Sequence, residues 1–299
     1  MIVRQNDSMP LVSVLMTAFN RQKFIAKAIE SVLASSYGNF ELIIVDDQSE
    51  DNTVEIARSY ATLDSRIKVY INEQNLGDYF NRNKAASYAG GKYLKYLDSD
   101  DLIDPHGLQV LVEAMEKFPQ AGLGLPYNKI EDDQPYPYLV DAISAYQQFF
   151  FKEDFLLTGP TGSIIKRSLF EEVGGFSGKR FVGDSELWLI LAARQPVVKF
   201  QPALFWWRQH EAQEYKKGQS VDGYYTLSYL TFKSILTDGH CPLNEQDKES
   251  VLERLTRKQS RFVLHTMLKK RNFSGGLEIM RKCSLTNTDL IRNLFKKIN

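Results

Sequence analysis

The chain is poor in cysteine and has no long apolar run. Its two cysteines, Cys241 and Cys283, lie far apart and show no metal-binding spacing. Two thiols do not make a disulfide framework, so we expect a reducing compartment. No apolar run approaches the roughly 20 residues that cross a bilayer, and residues 1–9 lack the apolar core of a signal peptide. These absences argue against a secreted or membrane-spanning protein and predict a cytoplasmic one.

The chain also lacks an excess of charge of either sign. Its 37 basic and 37 acidic side chains give a formal net charge of +0. General nucleic-acid binders need a strongly positive surface, so this balance argues against a nucleic-acid partner. With 299 residues, of which 43% are hydrophobic, the chain is long enough for one large or two modest domains with a buried core.

Short apolar runs alternate with segments of helical periodicity in the first part of the chain. The apolar runs predict strands over residues 11–18, 41–45, 67–71 and 92–97. Helices are predicted over residues 21–34, from a cap at Ser49 or Asp51 to residue 60, over 79–89, and after Pro105. Asn20 is the predicted cap of the first helix, and Gly90-Gly91 the predicted end of the third. Strands that alternate with helices indicate an α/β protein with a doubly wound, parallel sheet.

The pattern is weaker after residue 121. Residues 184–193 predict an apolar helix with acidic residues at its start. Phe205-Trp206-Trp207 predicts another buried run, which ends in Arg208-Gln209-His210. The residues after 218 predict helices with scattered basic side chains.

Polar residues follow three of the predicted strands at the point where each strand ends. The first strand ends in Thr17-Ala18-Phe19-Asn20, the second in Asp46-Asp47, and the fourth in Asp98-Ser99-Asp100. Ligands of open α/β sheets bind beyond the carboxyl ends of the strands, so these clusters should lie along one edge. The sequence therefore predicts a binding site at that edge.

The most acidic of these clusters is Asp98-Ser99-Asp100-Asp101, which follows the strand predicted over 92–97. Like charges this close repel one another, and no basic residue stands within the cluster to neutralise them. Carboxylate oxygens are hard ligands that suit Mg²⁺ or Mn²⁺, which can in turn bind phosphate. The alternative is a polar turn before a helix, with Asp104 as the N-cap and Pro105 as the first helical residue. The cluster alone leaves both interpretations open.

Four short motifs, taken in order, resemble the family-two glycosyltransferases with the GT-A fold. They are Thr-Ala-Phe-Asn-Arg at 17–21, Val-Asp-Asp-Gln-Ser at 45–49, Leu-Asp-Ser-Asp-Asp at 97–101 and Gly-Asp-Ser-Glu-Leu-Trp at 183–188. The resemblance covers residues 11–215 and implies a mostly parallel GT-A sheet flanked by helices. It implies a catalytic domain over 11–217, with a nucleotide-binding half at 11–101 and an acceptor half at 102–217. A helical C-terminal region then spans 218–299.

The resemblance also implies an activity. Members of the family transfer a sugar, mostly with inversion, from a nucleotide-diphosphate sugar and use a divalent metal, here Mn²⁺ or Mg²⁺. The acceptor would be a hydroxyl of a glycan or a lipid-linked acceptor in surface polysaccharide synthesis. An Asp47 that accepts from the ring N–H of the base favours UDP, whereas Asp46 is expected to be structural or a helix cap.

The resemblance assigns roles to single residues of the donor site. It places the donor on Thr17, Phe19, Arg21, Asp47, Arg82, Asp98, Ser99 and Arg208. Their alternatives are a core position for Phe19, a surface position for Arg21 and an exposed helix charge for Arg82. The implied metal ligands are Asp100 and His210, although Trp207 replaces the Tyr usual near that histidine. Asp101 is expected to order the turn.

The resemblance makes Asp184 the general base that deprotonates the acceptor. Gly183 replaces the Glu usual before that aspartate, so Glu186 is an alternative base, and a plain helix N-cap is an alternative role for Asp184. On a helix, residues two apart do not share a face, so only one of the two carboxylates can point into the cleft. Thr161, Gly162 and Phe176 are expected to line the acceptor.

Other functions remain open at this point. The missing Glu favours a non-catalytic sugar- or nucleotide-binding module, and the paired carboxylates resemble those of a haloacid-type phosphatase. A processive synthase is disfavoured, because membrane spans and a Gln-x-x-Arg-Trp motif are absent. The C-terminal basic residues, Lys269-Lys270-Arg271 and Lys296-Lys297, predict either a helical packing or homodimerisation element or peripheral docking to an anionic membrane that bears a lipid-linked acceptor.

Overall fold

The computed structural model describes residues 9–126, 134–152, 156–210 and 223–294. The chain divides into two compact units. The first comprises Met1–Ala145 and Asp154–Gln209, and the second Tyr146–Glu153 and His210–Asn299. The domain boundary predicted between residues 217 and 218 lies outside the described residues and stays a prediction.

The first unit is built on an eight-stranded sheet with the order β3-β2-β1-β4-β8-β6-β9-β7. The strands are β1 Val12–Ala18, β2 Phe40–Asp46, β3 Ile67–Ile71, β4 Tyr93–Tyr96, β6 Leu123–Pro126, β7 Tyr138–Val140, β8 Ile164–Lys166 and β9 Val197–Phe200. The first four run parallel, as do β6 and β9, whereas β7 and β8 are antiparallel to their neighbours. A separate two-stranded ribbon pairs β5 Leu102–Ile103 with β10 Phe205–Trp206. The predicted α/β class, with a mostly parallel sheet, is confirmed.

Helices cover this sheet and give it a buried core. They are α1 Ile25–Leu33, α2 Thr53–Leu63, α3 Asp78–Ser87, α4 Gly107–Lys117, α6 Arg167–Glu172 and α7 Gly183–Arg194. The residues of α5, Ala142–Gln147, belong partly to each unit. Every residue of β2 is buried, and β1 has only Thr17 partly exposed. Strands covered on both faces are apolar along their whole length, which is why the sequence shows runs rather than alternation.

The first helix begins later than the sequence predicts. Asn20 does not cap it: the residue has φ 53°, and its side-chain oxygen accepts from the backbone N–H of Glu50. Asn tolerates this left-handed conformation better than most residues. The chain therefore makes a turn before α1 starts at Ile25, and the predicted helix over 21–34 was wrong at its start.

Two other predicted helix signals have different roles. Asp104 accepts from the backbone N–H of His106 and so caps a turn, while α4 starts only at Gly107. Gly91 lies beyond the end of α3, where a Cβ would come within 2.7 Å of the Leu11 carbonyl oxygen. Only glycine allows the backbone at this position to lie so close to β1. Gly91, predicted to end the third helix, therefore belongs to the segment that leads into β4.

The second unit contains the helices expected at the C-terminus. They are α8 Gly223–Thr237, α9 Glu245–Leu264, α10 Phe273–Cys283 and α11 Asn287–Leu294, with a π-helical turn at His265–Lys269. Asn244 and Asn272 cap α9 and α10 by accepting from backbone N–H groups. A small core of its own includes Tyr229, Val263 and Met280. Within the described part of the chain, no helix combines the length and apolar character needed to span a bilayer.

Candidate active site

The ends of β1, β2 and β4 lie side by side. Ala18 is paired with Asp46 at the ends of β1 and β2, and the backbone N–H of Asp47 donates to the Ala18 carbonyl oxygen at 2.8 Å. The Ser99 hydroxyl donates to the Thr17 carbonyl oxygen, also at 2.8 Å. The three polar clusters singled out in the sequence therefore meet at one edge of the sheet.

The acidic cluster after β4 has the donor set of a divalent metal site. Asp98, Asp100 and Asp101 each offer a carboxylate oxygen, and these oxygens lie within 4.8 Å of one another. Asp98 and Asp100 are partly exposed, whereas Asp101 is buried. Converging carboxylates suit Mn²⁺ or Mg²⁺. The residues present therefore fit the metal that the sequence predicts.

The acidic cluster is paired with positive charges from other segments of the chain. Arg21 Nε lies 2.9 Å from Asp100 Oδ2, and Arg82 Nη1 lies 2.7 Å from Asp98 Oδ1. The Arg208 backbone N–H donates to Asp101 Oδ1, and its Nε to the Asp100 carbonyl oxygen. Arginines distant in sequence therefore supply balancing charge that the acidic segment itself lacks.

Arg82 is held in the interior between two carboxylates. It is 6% exposed, and its Nε donates to Asp78 Oδ1 at 2.9 Å while Nη1 faces Asp98. Burial lowers its pKa, but the charges of Asp78 and Asp98 outweigh burial and raise it well above the usual value. The alternative of an exposed helix charge was wrong for Arg82, whose guanidinium orders Asp98.

The predicted nucleotide end of the site is partly open. Phe19 is 45% exposed, so the alternative of a core position was wrong for it. Asp47 is buried and accepts from Asn72 Nδ2 and from the backbone N–H groups of Leu76 and Gly77. A carboxylate has about four acceptor positions, so Asp47 holds the following loop with three of them. Its contact with a base stays a prediction.

Asp46 has the structural role expected of it. Its Oδ1 accepts from the Ser49 backbone N–H at 2.8 Å, and its Oδ2 accepts from the Ser49 hydroxyl. These bonds close a local turn at the end of β2. The turn fixes the loop that leads from the sheet edge to α2.

Asp184 lies in the first turn of α7, beside residues of α3. Its backbone N–H donates to the Tyr79 hydroxyl at 3.3 Å. Burial raises the pKa of Asp184 to about 6, while the charge of Arg82 lowers it and that of Asp78 raises it. The N-cap of α7 is Val182, so the alternative of a plain N-cap was wrong for Asp184. A carboxylate with this pKa is suited to act as a general base near neutral pH.

Glu186, the alternative base, is occupied elsewhere. It is buried, its Oε1 lies 2.5 Å from Lys179 Nζ, and its Oε2 accepts from the Ser177 hydroxyl. Both partners belong to the loop before α7. The structure thus ties Glu186 to that loop.

Tyr79 was missed by the sequence analysis, and it explains the unusual Gly183. A Cβ on Gly183 would lie 2.8 Å from Tyr79 Cε2. The ring, which is buried, therefore fills the space that a Glu side chain would start from. Its hydroxyl contacts the backbone of Asp184 instead. No local sequence signal could have paired residues so far apart.

The predicted buried run at Phe205-Trp206-Trp207 was wrong. Trp206 is 53% and Trp207 45% exposed. The reason is that β10 pairs with the short β5 and not with the main sheet. The Arg208 guanidinium lies 4.7 Å from the centre of the Trp206 ring and 5.2 Å from that of Phe24. The aromatic rings thereby steady the arginine that holds the Asp100 backbone.

The three residues expected to line the acceptor are all buried. Phe176 is 2% exposed and packs against the rings of Tyr79, Tyr96 and Trp188, so its predicted place on the acceptor wall was wrong. Thr161 Oγ1 accepts from the Asp98 backbone N–H at 3.0 Å, so this residue supports the acidic cluster. Gly162, next to it, is buried as well.

His210 falls in the second unit and is partly exposed. Its role as a metal ligand stays a prediction. The roles of Thr17 and Ser99 in donor binding also stay predictions; Ser99 is buried and its hydroxyl is engaged with the backbone of Thr17.

Comparison with known proteins identifies relatives. The family description "Glycosyl transferase family 2" matches residues 13–174, which is more than half of the chain. Glycosyltransferase GlyG of Streptococcus pneumoniae is 28% identical over 215 residues, which cover 67% of this chain and 71% of GlyG. WfgD of Escherichia coli, named a UDP-Glc:alpha-D-GlcNAc-diphosphoundecaprenol beta-1,3-glucosyltransferase, is 39% identical over 107 residues. That match covers 36% of this chain and 42% of WfgD, less than half of either protein.

The fold also resembles that of a protein of known structure. The crystal structure of Staphylococcus aureus TarS 1–349 in complex with UDP-GlcNAc matches with a TM-score of 0.69. The match covers 91% of this chain and 81% of TarS at 18% sequence identity, so it bears on the fold alone. It confirms the expected GT-A type. The chain belongs to glycosyl transferase family 2.

Proposed function

We propose that this protein transfers a sugar, with inversion, from a nucleotide-diphosphate sugar to a hydroxyl of a glycan or lipid-linked acceptor in polysaccharide synthesis. The observation that carries the proposal is the shared position of the acidic cluster and Asp184, both of which border α3 at one end of the sheet. A UDP-sugar is the favoured donor. The names of WfgD and TarS, which refer to UDP-Glc and UDP-GlcNAc, support that choice.

The acidic cluster would hold the donor through a metal. Asp100 is the principal ligand, with Asp98 and Asp101 beside it. A bound Mn²⁺ or Mg²⁺ supplies charge stabilisation for the departing nucleotide, an effect worth several kcal/mol. Arg21 and Arg208 already border the cluster, so their guanidinium groups are placed to pair with phosphate oxygens.

Asp184 would take the proton from the acceptor hydroxyl. Its partly buried position beside Tyr79 raises its affinity for a proton, and the neighbouring Arg82 limits the rise. With the hydroxyl deprotonated as it attacks, a single displacement of the nucleotide inverts the anomeric carbon. Tyr79 acts here as a positioning residue that fixes the first turn of α7.

The alternatives lose their support. The missing Glu favoured a non-catalytic module, but the Tyr79 ring accounts for Gly183 without any loss of the base. A haloacid-type phosphatase is ruled out by membership of the transferase family. We also propose a cytoplasmic location, which the two free thiols, Cys241 and Cys283, support.

A thermal-shift screen tests the proposal. We expect UDP with Mn²⁺ to raise the melting temperature more than GDP or dTDP, because a UDP-sugar is the favoured donor. A ligand at 100 times its Kd stabilises the folded state by about 2.7 kcal/mol, which is enough to raise the melting temperature measurably. The same nucleotide without Mn²⁺ should give a much smaller rise, and Mn²⁺ alone is the control. A chain that responds to none of these nucleotides, or responds equally without metal, would contradict the proposed function.

The pH dependence of kcat/KM tests the base. Because a general base acts only when deprotonated, we expect kcat/KM to rise roughly tenfold per pH unit below about pH 6 and to level off above it. Asp78→Asn removes a charge that raises the pKa of Asp184, so the rise should move to lower pH. Initial rates of sugar transfer across a buffer series measure both profiles. A flat profile from about pH 5 to pH 7 would argue against Asp184 as the base.

A further inference from the structure

Three large apolar side chains of the second unit stand out in solvent within one short stretch. Leu268 is 61%, Phe273 60% and Leu277 55% exposed. Leu268 belongs to the π-helical turn that precedes α10, and Phe273 and Leu277 are four residues apart on α10, so they share a face. Scattered apolar residues are common on protein surfaces, but a group of them points to an interaction site.

The same stretch is strongly basic. Lys269, Lys270 and Arg271 connect Leu268 to α10, and Arg281 and Lys282 follow near its end. Glu278 is the one acidic residue between 268 and 282, and it is paired with Lys282 at 2.7 Å. Apolar side chains rimmed by lysine and arginine are typical of elements that lie on anionic membranes.

The opposite side of α10 holds this stretch in place. Gly276, Met280 and Cys283 are buried, and a Cβ on Gly276 would meet the Met267 side chain. Asn272 caps the helix by accepting from the Gly275 N–H at 2.9 Å. The exposed side chains are therefore presented by a packed element and are not unburied remains of the core.

We propose that this basic apolar face, formed by Leu268, Lys269, Lys270, Arg271, Phe273 and Leu277, docks on an anionic lipid bilayer. The inference deepens the proposed function, because it would bring the enzyme to a lipid-linked acceptor. A second copy of the chain is the less suitable occupant. A two-fold contact would bring this patch of both copies together. Lysines and arginines of both copies would then lie in one interface, and like charges repel.

Vesicle flotation with the full chain tests the proposal. We expect the protein to float with vesicles that contain phosphatidylglycerol and to stay unbound with pure phosphatidylcholine. Added salt should weaken the binding, because it screens exposed charges. Absence of binding to the phosphatidylglycerol vesicles, or equal binding to both kinds, would overturn the proposal.

Variants locate the contact. We expect the double variant Phe273→Ser, Leu277→Ser and the double variant Lys269→Gln, Arg271→Gln each to lower the partition onto anionic vesicles at least tenfold. Leu63→Ser is the matched control, because Leu63 is an apolar residue on α2 of the first unit with 83% exposure. Equal loss in the control, or none in the double variants, would overturn the assignment of the face.

Two further measurements separate the possible failures. Gel filtration compares the oligomeric state of the Phe273→Ser, Leu277→Ser variant with that of the unaltered protein. Conversion of a dimer to a monomer would assign the face to self-association and overturn the proposal that it docks on a bilayer. The shift in melting temperature with UDP and Mn²⁺ is measured on the same variants. If the variants lose flotation but keep the shift in melting temperature, the docking face is supported and the proposed function stays intact. If the protein floats but UDP with Mn²⁺ does not change its melting temperature, only the proposed function is contradicted.

Discussion

Asp184→Asn is expected to lower kcat by about 10²–10⁴-fold, the usual contribution of a general base. The amide keeps the size of the side chain and can still accept from the Ser185 N–H, as Asp184 Oδ1 does at 2.8 Å. It cannot take a proton from the acceptor. The affinity for UDP and Mn²⁺, measured by calorimetry, should stay within a factor of about two, because the carboxylates that would hold the metal are untouched.

Glu186→Gln provides the matched control. This neighbouring carboxylate lies on the same helix but is bound to Lys179 and Ser177. Its loss should leave kcat near that of the unaltered protein and should lower the melting temperature, because Lys179 would lose its buried partner. If Glu186→Gln abolished transfer while Asp184→Asn did not, the two carboxylates would exchange roles. Lost UDP affinity with unchanged turnover in Asp184→Asn would also reject the assignment.

The edge of the sheet that carries the site could be predicted from sequence, because its signals are local. Buried parallel strands are apolar runs, and the polar residues that follow Ala18, Asp46 and Leu97 stand out against them. The rule that such strand ends converge is general for open α/β sheets. The acidic cluster could be recognised in this way, whereas the family and Asp184 were recognised from the order of four short motifs.

The charge balance of the site could not be predicted, because it depends on long-range contacts. Arg21 reaches Asp100 across 79 residues of sequence. Arg208 reaches the Asp101 carboxylate across 107. Nothing in the local pattern distinguishes these arginines from surface charges. The sequence therefore shows the carboxylates but not the arginines that balance their charge.

The reason for Gly183 and the exposure of Trp206 could not be predicted either, because both depend on long-range contacts. Gly183 is explained by the ring of Tyr79 on another helix, and hydrophobicity alone cannot say that β10 leaves the main sheet. The start of α1 failed because Asn20 uses its side chain to hold the Glu50 loop, which competes with capping. In each case a tertiary contact overrode a local preference.

The pairing of Arg21 with Asp100 carries the second large prediction. Arg21 Nε occupies one oxygen of the residue that would be the main metal ligand. A divalent cation at Asp100 would therefore share this carboxylate with the Arg21 guanidinium or displace it. In either case the position of Arg21, which is proposed to pair with the diphosphate, would depend on whether the metal is bound. Without the carboxylate, the cation would lose its principal ligand, and Arg21 would lose its partner.

We therefore expect Asp100→Ala to lower the affinity for UDP in the presence of Mn²⁺ by about 100-fold or more, since metal stabilisation is worth several kcal/mol and each factor of ten about 1.4. The remaining affinity should be the same with and without Mn²⁺, because Arg21, Arg82 and Arg208 attract the diphosphate without help from a metal. Titration calorimetry under both conditions measures this. The control is Asp104→Asn, because Asp104 is an exposed carboxylate just beyond the cluster. This variant should keep the full dependence of UDP affinity on Mn²⁺. A response to Mn²⁺ that survives in Asp100→Ala would move the metal site away from the end of β4 and, with it, the proposed geometry of transfer.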